Sequence, residues 1–261
     1  MFGRRRRTAA QDRLPEEQLR IAWQVCSLLL DYPSPTLVAQ LDLARRAAGE
    51  LPAYLAEPVN RLTDHLAATP LTELQREYVE TFDHTRRGCL YLTYFTTGDT
   101  RKRGLALVQL KQAYRRAGVE LTSGELPDHL GVVLEFGATA DVDTAWTILN
   151  GYRASLEVLR MALQDKGSPW ADAVVAISRT LPELVGEDAE AVARLIEQGP
   201  PAEDVGLAPY AMDPRLNPHP WGAAPPMLPP GVNPLPDYLD PAGPPSVLAP
   251  LDAYSAAGAD R

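Results

Sequence analysis

The stretch DTAWTILNGYRASLEVLRMALQDK, residues 143–166, decides the fold class. Ala145, Ile148, Leu149, Tyr152, Leu156, Leu159 and Leu163 fall at offsets 0, 3, 4, 7, 11, 14 and 18. That spacing lines one face of a 3.6-residue helix, so the stretch is predicted as one long amphipathic helix. Gly167-Ser168-Pro169 ends it, because proline cannot continue the hydrogen-bond ladder.

The same period recurs on both sides. Upstream, Ile21, Val25, Leu28 and Leu29 mark a first helix over 15–30, stopped by Asp31-Tyr32-Pro33-Ser34-Pro35. A second runs through Leu37, Leu41 and Ala44 to Gly49, and a third from Pro52 to Ala68, opened by its proline. After Thr69-Pro70, Leu71, Leu74, Tyr78 and Phe82 give a fourth, which delivers Asp83 at its end. Residues 100–117 form another, with Leu107, Leu110 and Tyr114 on one face and Gly118 as a left-handed cap. A helix then starts near Pro127 with Leu130, Val133, Leu134 and Gly137 inward. Shorter helices follow around Val174, Ile177 and Leu181, then Val192, Leu195 and Ile196. No alternation is sustained enough for a sheet. The expectation is an all-α single-domain bundle of about eight or nine helices.

Composition divides the chain in three. Residues 1–13 carry five arginines and one aspartate and read as a basic, disordered start. Sixteen of the 25 prolines lie between 200 and 250, so residues 200–261 read as a disordered Pro-rich acidic tail. The helical domain is expected over 14–199. The formal charge is −9; subtracting +4 for the start and −5 for the tail leaves −8 on the folded middle. An acidic globule repels phosphate backbones, which excludes nucleic acid and favours basic partners. Cys26 and Cys89 suit a reducing cytosol. No apolar stretch is long enough to cross a bilayer. Arg4 to Arg7 resemble an export signal only in charge, since Thr8 to Arg20 is polar where an apolar segment belongs. The expected location is the cytoplasm.

Catalytic patterns are missing from the sequence. Asp83-His84 and Asp128-His129 each join a carboxylate to an imidazole, but neither histidine has the glutamate three positions earlier that a helical dinuclear centre uses. There is no serine elbow and no phosphate-binding loop. A helical metal-dependent enzyme is therefore the third-ranked reading. The residues that helix packing leaves unexplained lie in the middle. Leu90-Tyr91-Leu92-Thr93-Tyr94-Phe95 has a weak helical period and lies between Arg86-Arg87 and Arg101-Lys102-Arg103. Its aromatic and β-branched content favours a strand, but a lone strand has nothing to pair with, so it reads as a short helix or ordered loop. Aromatics of this kind belong to peptide interfaces. Asp83, Asp99, Glu125 and Asp128 would then meet cations of a partner. Tyr78, Phe82 and Tyr114 also suit plain core packing, and Asp128 a helix N-terminus.

At this point the chain resembles the nitrate reductase delta-subunit type of molybdenum-cofactor assembly chaperone, within the redox-enzyme maturation chaperones that read twin-arginine-type leaders. Three motifs carry the resemblance, which covers roughly 22–198. Tyr78-Val79-Glu80-Thr81-Phe82 is similar to the family's aromatic motif, with Thr81 where leucine is usual. Leu90-Tyr91-Leu92-Thr93-Tyr94 with Gly98-Asp99-Thr100-Arg101 and Arg103-Gly104 is similar to the nitrate reductase branch. Glu125-Leu126-Pro127-Asp128-His129 resembles the acidic-proline-Asp-His motif of the wider group.

The resemblance implies a non-catalytic chaperone with no cofactor of its own. It would bind the N-terminal segment of the apo catalytic subunit of a respiratory nitrate reductase. That subunit would stay competent for molybdenum cofactor insertion and membrane docking, and the cofactor delivery machinery would be a partner at one remove. The client-binding residues would be Tyr78, Phe82, Asp83, Tyr91, Leu92, Tyr94, Asp99, Arg101, Arg103, Glu125, Pro127, Asp128 and His129. Tyr91, Leu92 and Tyr94 would line a groove edged by Asp99, Glu125 and Asp128, suited to an amphipathic helix. The alternative is an α-helical adaptor that docks through its Pro-rich tail.

Overall fold

Prolines mark where the first four helices begin. A computed structural model describes residues 13–83, 88–98, 101–121, 124–184 and 248–250, with a few positions between 186 and 194. The helix α1 (Glu16–Leu29) enters from Pro15, α2 (Pro35–Ala48) starts on Pro35, α3 (Ala53–Ala68) follows Pro52, and α4 (Leu71–Phe82) follows Pro70. A proline at the entry removes an N–H that has no helical acceptor there anyway. Ser34 caps α2, its hydroxyl accepting from the Leu37 N–H at 3.1 Å. The chain continues through α5 (Tyr94–Thr97), α6 (Arg101–Arg116), α7 (Leu130–Thr139), α8 (Val142–Gly151), α9 (Arg153–Asp165) and α10 (Ala171–Arg179). Helical residues recur at 189–190 and 192–194, where the last helix is expected. The fold is all-α, as the periodicity predicts.

One proline lies inside a helix. Pro58 of α3 is buried and has no N–H to give to the carbonyl of Tyr54 one turn earlier. The guanidinium of Arg179 donates to that carbonyl instead, at 2.6 Å. The α10 helix thus satisfies the group that α3 leaves open.

The centre of the bundle is α1. It packs against α7, α10, α2, α3 and α8, and buries Leu19, Ala22, Trp23, Val25, Cys26 and Leu29. The expected inward face needs turning, because Ile21 and Leu28 are only half-buried. Trp23 is fully buried, and its indole N–H donates to the Thr180 hydroxyl at 3.0 Å. Its ring lies on Gly137 of α7, where a β-carbon would come within 2.5 Å of the ring and 2.6 Å of the Ala145 side chain. Only hydrogen fits at that crossing. Cys26 is fully buried beside the Ala173 carbonyl, and burial pushes its thiol up to about 12.

The single helix expected over 143–166 is in fact two. Tyr152 leaves helical geometry with ψ 22°, directly after Gly151, and so separates α8 from α9. Arg153, the first residue of α9, turns inward and donates to the Ser178 carbonyl and hydroxyl at the end of α10. It also pairs with Glu157 at 3.1 Å, and Glu157 accepts from Arg160 and Ser178. Periodicity continues across the break because both helices bury the same side of the sequence.

Gly118, with φ 79°, ends α6 as the sequence predicts. Beyond it, β1 (Val119–Leu121) pairs antiparallel with β2 (Leu248–Pro250), a short ribbon from the Pro-rich region. The rest of that region, and the basic start with Arg4 to Arg7, lie outside the described residues. Among the described residues no helix is long and apolar enough to cross a membrane.

Packing at Trp23 gives a direct test. Gly137→Ala is expected to destabilise the fold by about 1–3 kcal/mol through overpacking. Gly104→Ala, on exposed α6 with nothing within 4 Å, should stabilise by up to about 1 kcal/mol from helix propensity. Urea denaturation of the two variants beside the parent measures both.

Candidate functional site

The segment with no expected partner has one. Leu90–Leu92 runs antiparallel to Asp128–Leu130: the Leu92 N–H donates to the Asp128 carbonyl at 2.9 Å, and the Leu130 N–H to the Leu90 carbonyl at 2.8 Å. Between these bonds Tyr91 and His129 stand directly opposite each other. Such a pair, flanked by the hydrogen bonds and not joined by them, brings its side chains closest. The two rings meet edge to face at 5.3 Å.

Alternation along an extended chain sorts the neighbours. Leu90, Leu92, Asp128 and Leu130 point inward and are buried, while Tyr91 and His129 face outward and are half-buried. The loop can return to this position because Gly88 lies against the Thr81 carbonyl, where a β-carbon would overlap backbone. Gly131 likewise leaves room for the His129 ring, since a β-carbon there would lie 3.2 Å from Nδ1.

Asp128 is 0 % exposed and so cannot edge a groove. Its Oδ2 accepts from the Thr93 hydroxyl at 2.5 Å and from the Thr93 N–H at 3.3 Å, with Arg103 at 3.8 Å. Among the described residues its Oδ1 is buried without a hydrogen-bond partner. A charge held this way fixes the loop before α5 to the start of α7. Pro127 is buried as well, and its carbonyl accepts from the Tyr114 hydroxyl at 2.6 Å.

The remaining expected residues divide by depth. Tyr78 and Phe82 are buried in an aromatic stack with Trp170, and the Tyr78 hydroxyl donates to the Leu30 carbonyl at 2.9 Å. Leu92 is core. Tyr94 is half-buried against Phe95; Asp83, Arg101 and Glu125 are exposed; and the Arg103 guanidinium lies 5.5 Å from the centre of the Tyr91 ring. Asp99 lies outside the described residues.

Two residues join this surface unannounced. Asp31 and Tyr32, in the turn after α1, are exposed there, with the Tyr32 ring 5.4 Å from Tyr78. The sequence offered them only as helix terminators. An aromatic residue left solvent-facing in a Pro-bounded turn was the available signal.

Electrostatics tie the patch together. Burial pushes the His129 imidazole below its ordinary value, against the pull of Glu125, Asp31 and Asp128. Local desolvation raises the Asp31 carboxyl, opposed by its bond from the Tyr32 N–H and by His129. Tyr91 is raised by burial first and then by Glu125. The patch is thus aromatic at its centre and acidic at its edge, with no three His, Cys, Asp or Glu side chains grouped as metal ligands among the described residues.

Comparison with known proteins shows the family. The family model for the nitrate reductase delta subunit matches residues 48–176, which run from the end of α2 into α10 and contain the Tyr91–His129 pair. A probable nitrate reductase molybdenum cofactor assembly chaperone, NarJ of Bacillus subtilis, is 30% identical over 154 residues, covering 59% of this chain and 84% of that protein. The chain belongs to the nitrate reductase delta-subunit family. NarJ of Escherichia coli K12, a nitrate reductase molybdenum cofactor assembly chaperone, is 32% identical over 150 residues, 56% of this delta-subunit homologue and 64% of its own length. The nitrate reductase-like protein NarX of Mycobacterium tuberculosis H37Rv is 40% identical over 168 residues, 64% of this chain. The match spans only 25% of NarX.

Two outcomes follow for stability. Asp128→Ala leaves the buried Thr93 groups without their acceptor and should cost about 2–4 kcal/mol in urea denaturation. Burial holds the folded His129 imidazole below its unfolded value near 6.5. Below that value the unfolded chain takes up the proton first, so stability attributable to His129 is lost as pH falls. The stability difference between parent and His129→Asn, measured from pH 7.5 down to 5.5, should shift against the parent on acidification.

Proposed function

We propose that this chain is a non-catalytic cytoplasmic chaperone for a respiratory nitrate reductase. It binds the N-terminal segment of the apo catalytic subunit and keeps that subunit competent for molybdenum cofactor insertion and membrane docking. The observation that carries the reading is the outward pair Tyr91 and His129, set edge to face among Asp31 and Glu125. The printed names of the NarJ relatives support the client class.

The physical fit is to a cationic amphipathic segment. Its apolar side packs on Tyr91, Tyr94 and Tyr32, and its cations meet Asp31, Glu125 and Asp83 at the rim. Large aromatic anchors supply most of the affinity of such contacts, and rim charges mainly the encounter rate and specificity. In this reading Tyr78, Phe82, Leu92, Pro127 and Asp128 act from beneath by holding the contact residues in place. Arg101 and Arg103 flank the patch from α6, and Arg103 orients the Tyr91 ring. The delivery machinery for the cofactor would approach the client and not this surface.

Calorimetry with a synthetic peptide of the client's N-terminal segment tests the proposal. Tyr91→Ser should weaken binding by about ten- to a hundredfold, with near-parental stability in urea. Glu125→Gln should weaken it less and flatten its salt dependence. Removal of residues 200–261 should leave affinity unchanged. Parental affinity in Tyr91→Ser would refute the patch as the client site, and loss of binding on tail removal would favour the tail-docking adaptor.

A further inference from the structure

The patch around Tyr91 suits a cationic amphipathic helix, and the chain itself carries one. The 16 residues of α6 hold no acid. Arg103 and Arg115 are already paired, with Asp128 and Glu120. Lys102, Lys111 and Arg116 are exposed. At about 100° per residue, Leu105 and Val108 fall on the solvent side between Lys102 and Lys111, with Arg116 alongside. These two are 68% and 52% exposed, and Leu105 is the most exposed large apolar side chain among the described residues.

This face cannot turn onto the patch of its own molecule. Leu110 and Tyr114 anchor the helix in the core, the Tyr114 hydroxyl donates to the Pro127 carbonyl at 2.6 Å, and the Arg103 guanidinium lies 5.5 Å from the centre of the Tyr91 ring. Leu105 and Val108 stand about 140–160° round the helix from Arg103, on the opposite side. Only another molecule can present them. The receiving surface has matching charge. Asp31 and Asp83 are exposed, and Tyr32 is exposed beside them. Burial raises the Tyr78 hydroxyl, and Asp31, Asp83 and Glu125 add to the rise, so the three carboxylates gather around one buried ring. Opposite charges across a contact of this kind steer the encounter and fix its register.

We propose that the outer face of α6 docks on the Tyr91–Tyr32 patch of a second copy of this chain. Leu105 and Val108 pack on the tyrosines, and Lys102, Lys111 and Arg116 meet Asp31 and Asp83. The contact is head-to-tail, since the two surfaces differ. It rests on the client-binding reading and deepens it, because the self-contact and the client compete for one patch. Client-free chains associate, and a bound client leaves a monomer whose α6 face is open.

Light scattering on the full chain tests the proposal. The mean mass of the parent should rise as concentration is raised about a hundredfold, and salt should reverse the rise. Leu105→Glu, at an exposed position and with similar helix propensity, should stay monomeric and keep parental affinity for the client peptide. Tyr91→Ser should also stay monomeric. An equimolar mixture of the two variants should form a 1:1 complex, since each retains the face the other lacks, and client peptide should dissolve it. A parent that stays monomeric, association that persists in either variant, or a mixture that forms no complex would overturn the inference and leave the client reading standing. Loss of self-association in Tyr91→Ser with parental client affinity would instead refute the client reading and support the self-contact. Co-sedimentation of the parent with phosphatidylglycerol vesicles, lost in Leu105→Glu, would assign the α6 face to a lipid surface and overturn the inference.

Discussion

The body of this protein depends on one close approach, the Trp23 ring lying on Gly137 where α1 crosses α7. A residue with any side chain at 137 would separate the two helices and loosen the contact with Ala145 of α8. The same tryptophan reaches Thr180 beyond α10, so three helices and the following turn are positioned by one indole. Ser27, one turn further along α1, donates to the Gly131 carbonyl at 2.9 Å and holds the start of α7. The start of α7 is where the candidate patch begins.

That coupling explains how a patch built largely on loops has defined geometry. Tyr91 and His129 face outward because their neighbours on both segments face inward, and those neighbours are held by the core and by Asp128. The buried carboxylate is a positioning group, at a depth no partner reaches. It links Thr93 and Arg103 to the chain that leads into α7. The residues a client could touch are the ones that alternation leaves outside.

Much of this was legible in the chain. Pro33, Pro52, Pro70 and Gly167-Ser168-Pro169 mark helix limits because proline and glycine act through local backbone geometry, which needs no tertiary context. The inward positions of α7 were also readable. Three expectations needed correction for a common reason. The break at Tyr152, the turned face of α1 and the pairing of Tyr91 with His129 all depend on residues far away in sequence. Arg153 finds Ser178, Trp23 finds Gly137, and Leu90 finds Leu130. A period counted in a window of a dozen residues carries no such information.

Sequence alone determined that the chain is helical, where most helices start and stop, and that the body is acidic, since all of these follow from side-chain size, charge and local spacing. Tertiary structure decided which of the expected site residues are reachable. Asp128, Leu92, Tyr78 and Phe82 went inside, Tyr91, His129 and Glu125 stayed near the surface, and Asp31 and Tyr32 arrived from a distant turn. The physical reason is that exposure belongs to packing between elements: burial of one face of a two-residue repeat turns the alternate residues outward, and only the assembled core determines which face is buried.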